Sequence, residues 1–348
     1  MTEKTNRKAE LLSSPVEHFD ITQFDARPVI DAWEKMSFTS RDAARAARIL
    51  GAAVADPDCS VILTLAGSTS AGGCMHVWRD MVRNNMVDAI VATGASIVDM
   101  DFFEAIGFKH YQARDIPDDR ILRDLYIDRI YDTYIDEEEL QACDHILGDI
   151  ADSLDPKPIS SRAFIHAMGK YLAEGGAKKE GSLIQECYEH GVPIFVPAFA
   201  DCSAGFGLVK HQVERMKENK PYLSIDAVAD FRELTDIKIK AGTTGLFMIG
   251  GGVPKNFAQD TVVCAEILGH EVPMHAYAVQ ITVADVRDGA CSSSTLKEAC
   301  SWGKVDVALE QMVFAEATTV APMIVSDVYH REAWKTRKKR RFADMFAD

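Results

Sequence analysis

Two hydrophobic rhythms run along the chain. From residue 39, TSRDAARAARILGAAVAD opens on Thr and Ser, carries an early acid, and then spaces alanines and leucine at helical intervals, which predicts a helix to about residue 55. Beyond it the pattern changes to short runs that are apolar at consecutive positions: VILTLAG (61–67), AIVATGAS (89–96), IFVPAFAD (194–201), LFMIGGG (246–252) and YAVQITVAD (277–285). Such runs, bounded by Gly, Ser and Asp, suit strands covered on both faces, and the intervals between them have room for helical crossovers. The expected class is α/β, with a doubly wound, mostly parallel sheet and helices on both faces of a single large domain. In such sheets ligands sit beyond the carboxyl ends of the strands. All of these runs end in Gly, Ser, Thr or Asp there.

The remaining segments frame that domain. Residues 1–20 are polar and read as a loosely held stretch within an N-terminal arm of residues 1–38, with the main domain over 39–330 and a basic tail over 331–348. Residues 111–180 are richer in charge, and RDLYIDRIYDTYIDEEELQACDHILGDIADSL (123–154) reads as helical. DPKP (155–158) and EGGAKKEG (174–181) read as loops. The basic residues between 335 and 341 read as a solvated face.

Composition narrows the partners. With 53 acidic against 38 basic residues the formal charge is -15, which disfavours nucleic acid and suits cationic or neutral ligands. Eight cysteines without a CxxC pair or a histidine at zinc spacing read as reduced, mostly buried thiols, and no metal site is expected. The start of the chain has no apolar stretch of signal-peptide length, and no run of about 18 apolar residues occurs, so a cytoplasmic protein without a membrane partner is expected.

Candidate chemistry gathers at the strand ends. GLFMIGGGVPKNF (245–257) places glycines where backbone N–H groups can approach a pyrophosphate, although a tight structural turn explains them as well. AGSTSAGG (66–73) adds hydroxyls and amides at another strand end. TGASIVDMD (93–101) brings Asp99 and Asp101 close behind a Gly-Ala-Ser turn, where an acid either holds ribose hydroxyls or caps a helix. In the carboxyl-terminal third, Asp285, Asp288 and Glu298 precede Lys304 in KEACSWGKVDV. Carboxylates around a pocket would hold a cation, and a lysine desolvated beside Trp302 would be a nucleophile; a surface lysine paired with a nearby acid is the plainer reading.

With these residues collected, the chain resembles the deoxyhypusine synthase family, including its deoxyhypusine synthase-like and homospermidine synthase relatives. The likeness runs from about residue 60 to 330 and is carried by NNMVDAIVATGASIVD, VPIFVPAFADCSAG, GGGVPKNF, YAVQIT and EACSWGK, in that order. It implies a Rossmann-like fold, a homotetramer, and NAD and polyamine bound at subunit interfaces. It also implies a reaction in which NAD accepts a hydride from spermidine, the SWGK lysine captures the product as an imine, and the aminobutyl group passes to an acceptor amine before the hydride returns.

By position the resemblance makes Lys304 the imine-forming lysine, Trp302 an indole of the polyamine tunnel and Glu298 an acid that holds a substrate amine. Lys255, Ser292 and Asp288 align near the substrate, and Asp260 is a further acid available to it. Gly67, Ser68, Thr93, Asp99, Asp201, Ser203, Gly250, Gly251, Gly252, Ala284 and Glu316 fall where the family contacts NAD, with Asp99 and Glu316 exchanging Glu and Asp relative to eukaryotic members. Phe206, Asn256 and Cys291 depart further, standing where those members have aspartate, histidine and aspartate. Losing two carboxylates weakens recognition of an ammonium unless Asp260, Asp285, Asp288 and Glu298 compensate. A small diamine is therefore the expected acceptor, with a translation-factor lysine, agmatine, or an inactive NAD-binding role as alternatives.

Overall fold

A computed structural model describes residues 3–346. The central sheet comprises β1 (Ser60–Leu65), β2 (Ala89–Ala92), β3 (Ile194–Phe195), β4 (Thr244–Ile249), β5 (Tyr277–Thr282) and β6 (Glu310–Phe314). Its order is β6-β5-β4-β1-β2-β3, and every pairing is parallel. The winding reverses between β1 and β4, so this α/β fold is a Rossmann-like doubly wound sheet with a crevice at that boundary. The edge strand β6, EQMVF, lies outside the apolar runs that mark the others.

The continuous apolar runs have the expected cause. Val61, Leu63 and Leu65 of β1 face one core while Ile62 faces another, and β4 divides Phe247 and Ile249 from Leu246 and Met248 in the same way. The first core is closed by α1 (Phe38–Ala55), whose Ala43, Ala47, Leu50 and Val54 are buried, and by the helix Ala317–His330. The second is closed by Leu234 and Ile237 and by short helices that include Ala258 and Leu296. Each fully buried Val, Leu, Ile or Phe contributes about 1.5–3 kcal/mol, so two covered faces stabilise a sheet with no exposed apolar side.

Three local expectations change. Within 123–154, Ile127–Ile130 and Thr133–Asp136 pair as an antiparallel hairpin, and only Glu137–Ser153 is the long helix. Tyr131 takes φ 51° in the tight turn, which breaks the helical register. The stretch up to residue 20 is packed and not loosely held: Leu11 is buried with Leu122 and Ile127, Val16 N–H donates to His110 O at 2.9 Å, and Phe19 N–H donates to Gly73 O at 2.8 Å.

The basic tail is likewise more than a solvated face. Arg337 is buried with its guanidinium against Asp88, and Phe342 joins the second core. All eight cysteines are free, with Cys59, Cys74, Cys143, Cys187 and Cys202 buried. Among the described residues no helix is long and apolar enough to cross a membrane.

Candidate active site

Parallel pairing puts the carboxyl ends of all six strands on one edge, and the loops leaving them carry nearly every residue singled out above. Gly67 and Ser68 follow β1, Thr93 follows β2, and Asp201 and Ser203 lie beyond β3. Gly250, Gly251 and Gly252 follow β4, Ala284 follows β5 and Glu316 follows β6. At Gly251 the glycine is obligatory, because a Cβ there would stand 2.3 Å from Ser292 Cα. Two helices start from these loops, α2 (Ser203–Lys217) and α3 (Gly252–Gln259), and Gly252 N–H at the start of α3 donates to Ser292 Oγ at 3.1 Å.

Gly67 and Gly252 have φ of 84° and 56°, with no atom within 4 Å of where their Cβ would be. Thr69 Oγ1 and Ser70 Oγ, beside Gly67, are buried without hydrogen-bond partners. Open space over positive-φ glycines, orphan hydroxyls and first-turn amides make a cradle for phosphate and ribose.

Two acids of this group are helix caps. Asp99 Oδ1 accepts Ser203 N–H at 3.0 Å across the loop and so caps α2. Burial pushes its carboxyl up to about 6 against the pull of the Ser203 and Ala204 amides. Glu316 caps the helix Ala317–His330 by accepting from the amides and hydroxyls of Thr318 and Thr319. Burial alone would raise it, but these hydrogen bonds hold it below the ordinary range.

Beside this edge lies a cavity of about 580 Å³, within the usual size of a small-molecule site. α3 and the helix that follows it, Thr261–Ile267, supply Asn256, Gln259, Asp260, Val263, Cys264 and Ile267 along one wall. The loop 289–294 and α4 (Leu296–Ser301) supply the facing wall, including Cys291, Ser294, Glu298 and Ala299. Trp302 and Lys304 follow α4, and Phe231 completes the lining.

Lys304 sits at the centre of this arrangement. Its side chain is 12% exposed, and Nζ lies 2.5 Å from Asp260 Oδ1. It also donates to Asn256 Oδ1 at 3.3 Å, while Asn256 Nδ2 donates to Asp260 Oδ2 at 2.7 Å. The three residues thus form a closed triangle. Trp302 is 70% exposed and its ring centroid is 5.2 Å from Nζ, so the indole is an open wall within cation–π reach and does not bury the amine. The lysine is therefore neither solvated nor free of charge partners: it is an enclosed ion pair.

Lys255 has a different place. It is 1% exposed and donates to Cys291 O and Ser294 Oγ, each at 2.9 Å, and to Ser294 O. It staples the facing loop to α3, and burial lowers its ammonium to about 8. Glu298 caps α4 through a capping box with Thr295, its Oε2 accepting Thr295 N–H at 2.6 Å. That amide, followed by the Thr295 hydroxyl, holds its carboxyl below the usual range.

Several singled-out residues lie outside the cavity lining. Ser292 turns toward α3 and β5, accepting from Gly252 N–H and, through its carbonyl, from Gln280. Asp288 is spent on its own turn and Asp285 on exposed Arg287. Phe206, 68% exposed on α2, does not line the cavity either.

Sequence reasoning passed over a buried relay beneath the cavity. Lys238 Nζ donates to Thr244 Oγ1 at 2.8 Å, Thr244 Oγ1 pairs with His275 Nδ1 at 2.8 Å, and His275 Nε2 faces Ala258 O of α3 at 3.2 Å. His275 N–H donates to Lys304 O at 2.9 Å. One histidine thereby ties the backbone of Lys304 to the helix that carries Asn256.

Comparison with known proteins agrees over nearly the whole chain. A family model described as deoxyhypusine synthase matches residues 28–328. The deoxyhypusine synthase-like protein of Caulobacter vibrioides is 73% identical over 341 residues, 98% of this chain and 93% of that protein. Its counterpart in Coxiella burnetii is 69% identical over 339 residues, 97% of this chain and 96% of that one. A solved Entamoeba histolytica structure, described as a "putative deoxyhypusine synthase", superposes with a TM-score of 0.58 at 20% identity, covering 90% of this chain and 97% of that chain. That last likeness bears on fold alone.

Proposed function

From the premise that this chain belongs to the deoxyhypusine synthase family, we propose that it is an NAD-dependent transferase of a 4-aminobutyl group. The donor is spermidine or a related polyamine, the carrier is an imine on Lys304, and the acceptor is a small diamine such as putrescine. The observation that carries this reading is the enclosed Lys304–Asp260–Asn256 triangle in a cavity with an aromatic and aliphatic lining.

The lining suits a linear polyamine. Asp260 and Glu298 are acceptors for ammonium groups, and Val263, Ile267, Ala290 and Ala299 give methylenes an apolar path. Lys304, with a primary amine on a flexible stem, is the residue able to form and release an imine. Asn256 orients both partners of the ion pair, Lys255 fixes the loop that carries Cys291 and Ser294, and the buried His275 relay holds the Lys304 backbone in register with α3.

Gly67, Ser68, Gly250, Gly251, Gly252 and Thr93 would hold the dinucleotide, and the vacant Cβ positions and orphan Thr69 and Ser70 hydroxyls fit its phosphates and riboses. When bound, NAD supplies a reversible hydride acceptor. Asp99 and Glu316 serve it indirectly, by fixing the helix ends beside that cradle.

A small acceptor is favoured over a protein lysine by Phe206, Asn256 and Cys291, which withhold charged groups that the family resemblance would otherwise provide. The reading includes a cytoplasmic homotetramer with its sites at subunit interfaces, and no nucleic-acid or membrane partner. An apolar stripe of exposed Phe206, Val209, Val213 and Met216 along α2 supports a subunit contact.

The test is incubation of purified protein with NAD⁺, spermidine and a panel of putrescine, agmatine and a lysine peptide, with products read by mass spectrometry. Homospermidine formed from putrescine, dependent on NAD⁺ and lost in Lys304→Arg, is the expected result, because a guanidinium stays protonated and forms no imine. Product only on the lysine peptide would transfer the reading to deoxyhypusine synthesis. Stoichiometric NADH without transfer would make the chain a dehydrogenase, and no turnover with any amine would leave a dinucleotide-binding homologue.

A further inference from the structure

We infer that Asp260 is a counter-ion used in turn by Lys304 and by the incoming amine, so that binding of a diamine displaces Lys304 from its ion pair and expels a proton from it. This deepens the polyamine reading above and rests on it.

The charges around Lys304 can be counted wall by wall. α3 presents Asp260 and Asn256, with Lys255 buried behind them; the segment after it presents Cys264. The facing loop presents Cys291, α4 presents Glu298, and the helix carrying Phe231 presents only that ring. Two carboxylates thus face two lysines. Glu298 has one oxygen committed to Thr295 N–H, and Lys255 keeps three uncharged acceptors at 2.9 Å or closer. Lys304 alone depends on a carboxylate that opens into the cavity, since the Asp260 side chain is 29% exposed.

A diamine enters with two positive charges. Its ammonium has two carboxylates to choose from, and Asp260, oriented by Asn256 Nδ2 at 2.7 Å, is the one paired with Lys304. Once that carboxylate is shared or taken over, Lys304 is left enclosed with neutral Asn256 Oδ1, the Trp302 ring and a second ammonium nearby. Desolvation and a like charge both favour the neutral amine. The balance is simple: the Lys304 ammonium becomes an amine and its proton leaves through the cavity mouth to solvent. Lys255 keeps its own three uncharged acceptors on the facing loop and shares no hydrogen bond with Asp260, so the exchange of counter-ion takes place at Lys304; because the Lys255 ammonium also feels Glu298 and Lys304, a Lys304 variant is needed to assign the proton. The consequence for chemistry is timing, since the lysine is stored as an unreactive ion pair and becomes a nucleophile only when an amine is present.

Isothermal titration of the full-length protein with putrescine, without NAD⁺, at one pH in phosphate, HEPES and Tris, reads the proton directly from the slope of binding heat against buffer ionisation heat. About one proton released per site is expected for the wild type. Lys304→Met should bind putrescine with the slope reduced to near zero, and Asp260→Asn should weaken binding by roughly tenfold or more while also losing the slope. Should one variant fold poorly, the other carries the assignment. Wild-type binding with zero slope, or a slope that survives in Lys304→Met, overturns the inference while leaving polyamine binding intact. No binding of putrescine or spermidine overturns the polyamine reading itself, and this inference with it.

Discussion

Arg337→Met tests whether the basic tail is a structural strap. Arg337 Nη1 donates to Asp88 Oδ1 at 3.0 Å and to Asn85 O at 3.1 Å, and Nη2 donates to Asp88 Oδ2 and to Cys59 O at 2.9 Å. The two side chains are 1% and 2% exposed. Asp88 Oδ2 also accepts Val61 N–H at 2.7 Å, so the pair clamps the amino ends of β1 and β2. Methionine fills similar volume but leaves a buried carboxylate without its cation, which costs about 3–5 kcal/mol. With a urea m-value of about 3 kcal/mol per molar, the unfolding midpoint should fall by about 1 M or more. Adding Asp88→Asn in the same chain removes the stranded charge while keeping an acceptor for Val61 N–H, and should recover more than half of the loss. A loss below about 1 kcal/mol, the level of an exposed pair, would refute the strap. So would an additive double variant.

Three other perturbations read the site. Gly251→Ala forces a Cβ against Ser292 Cα and must shift either α3 or the facing loop; a large drop in turnover is expected, and wild-type turnover would show that this contact is not needed. Lys255→Met removes the staple on Cys291 and Ser294, so hydrogen exchange should rise over residues 288–295 while the strands stay protected, and unchanged exchange there contradicts the role. For Asp99 the folded carboxyl is raised from 3.8 to about 6 by burial, so the folded state binds the extra proton and loses stability as pH climbs through that window. Asp99→Asn should therefore gain stability over wild type progressively between about pH 4 and 6 and hold that gain above it, measured by urea unfolding across pH; a gain that is flat with pH, or a loss that grows, contradicts the assignment.

Much of this architecture was legible in single residues. The strands β1 and β4 announced themselves because burial on both faces demands apolar side chains at consecutive positions, and Val61 to Leu63 and Leu246 to Ile249 obey it. β6 did not, since an edge strand with Glu310 and Gln311 half-exposed needs no such run. The hairpin at 127–136 was hidden by charge: Asp128 and Arg129 are exposed between Ile127 and Ile130, and this i, i+3 apolar spacing resembles a polar helix when the turn lacks glycine. Arg337 could not be read as buried, because its partner Asp88 is 249 positions away. The site divides in the same way. Lys304 and Trp302 were found by a local motif, whereas the Lys304–Asn256 contact spans 48 positions and the His275 relay joins separate elements. Asp99 and Glu316 show the converse, since an acid near a strand end has the same local signature whether it contacts a ligand or caps a helix.

The proposed transfer requires Lys304 to become covalently joined to the substrate. Its most direct measurement is borohydride reduction of the protein incubated with NAD⁺ and spermidine, followed by peptide mass spectrometry. A reduced aminobutyl adduct on the peptide carrying Lys304, requiring NAD⁺ and absent in Lys304→Ala, is the predicted result. An adduct on another lysine, or none while product still forms, would contradict it.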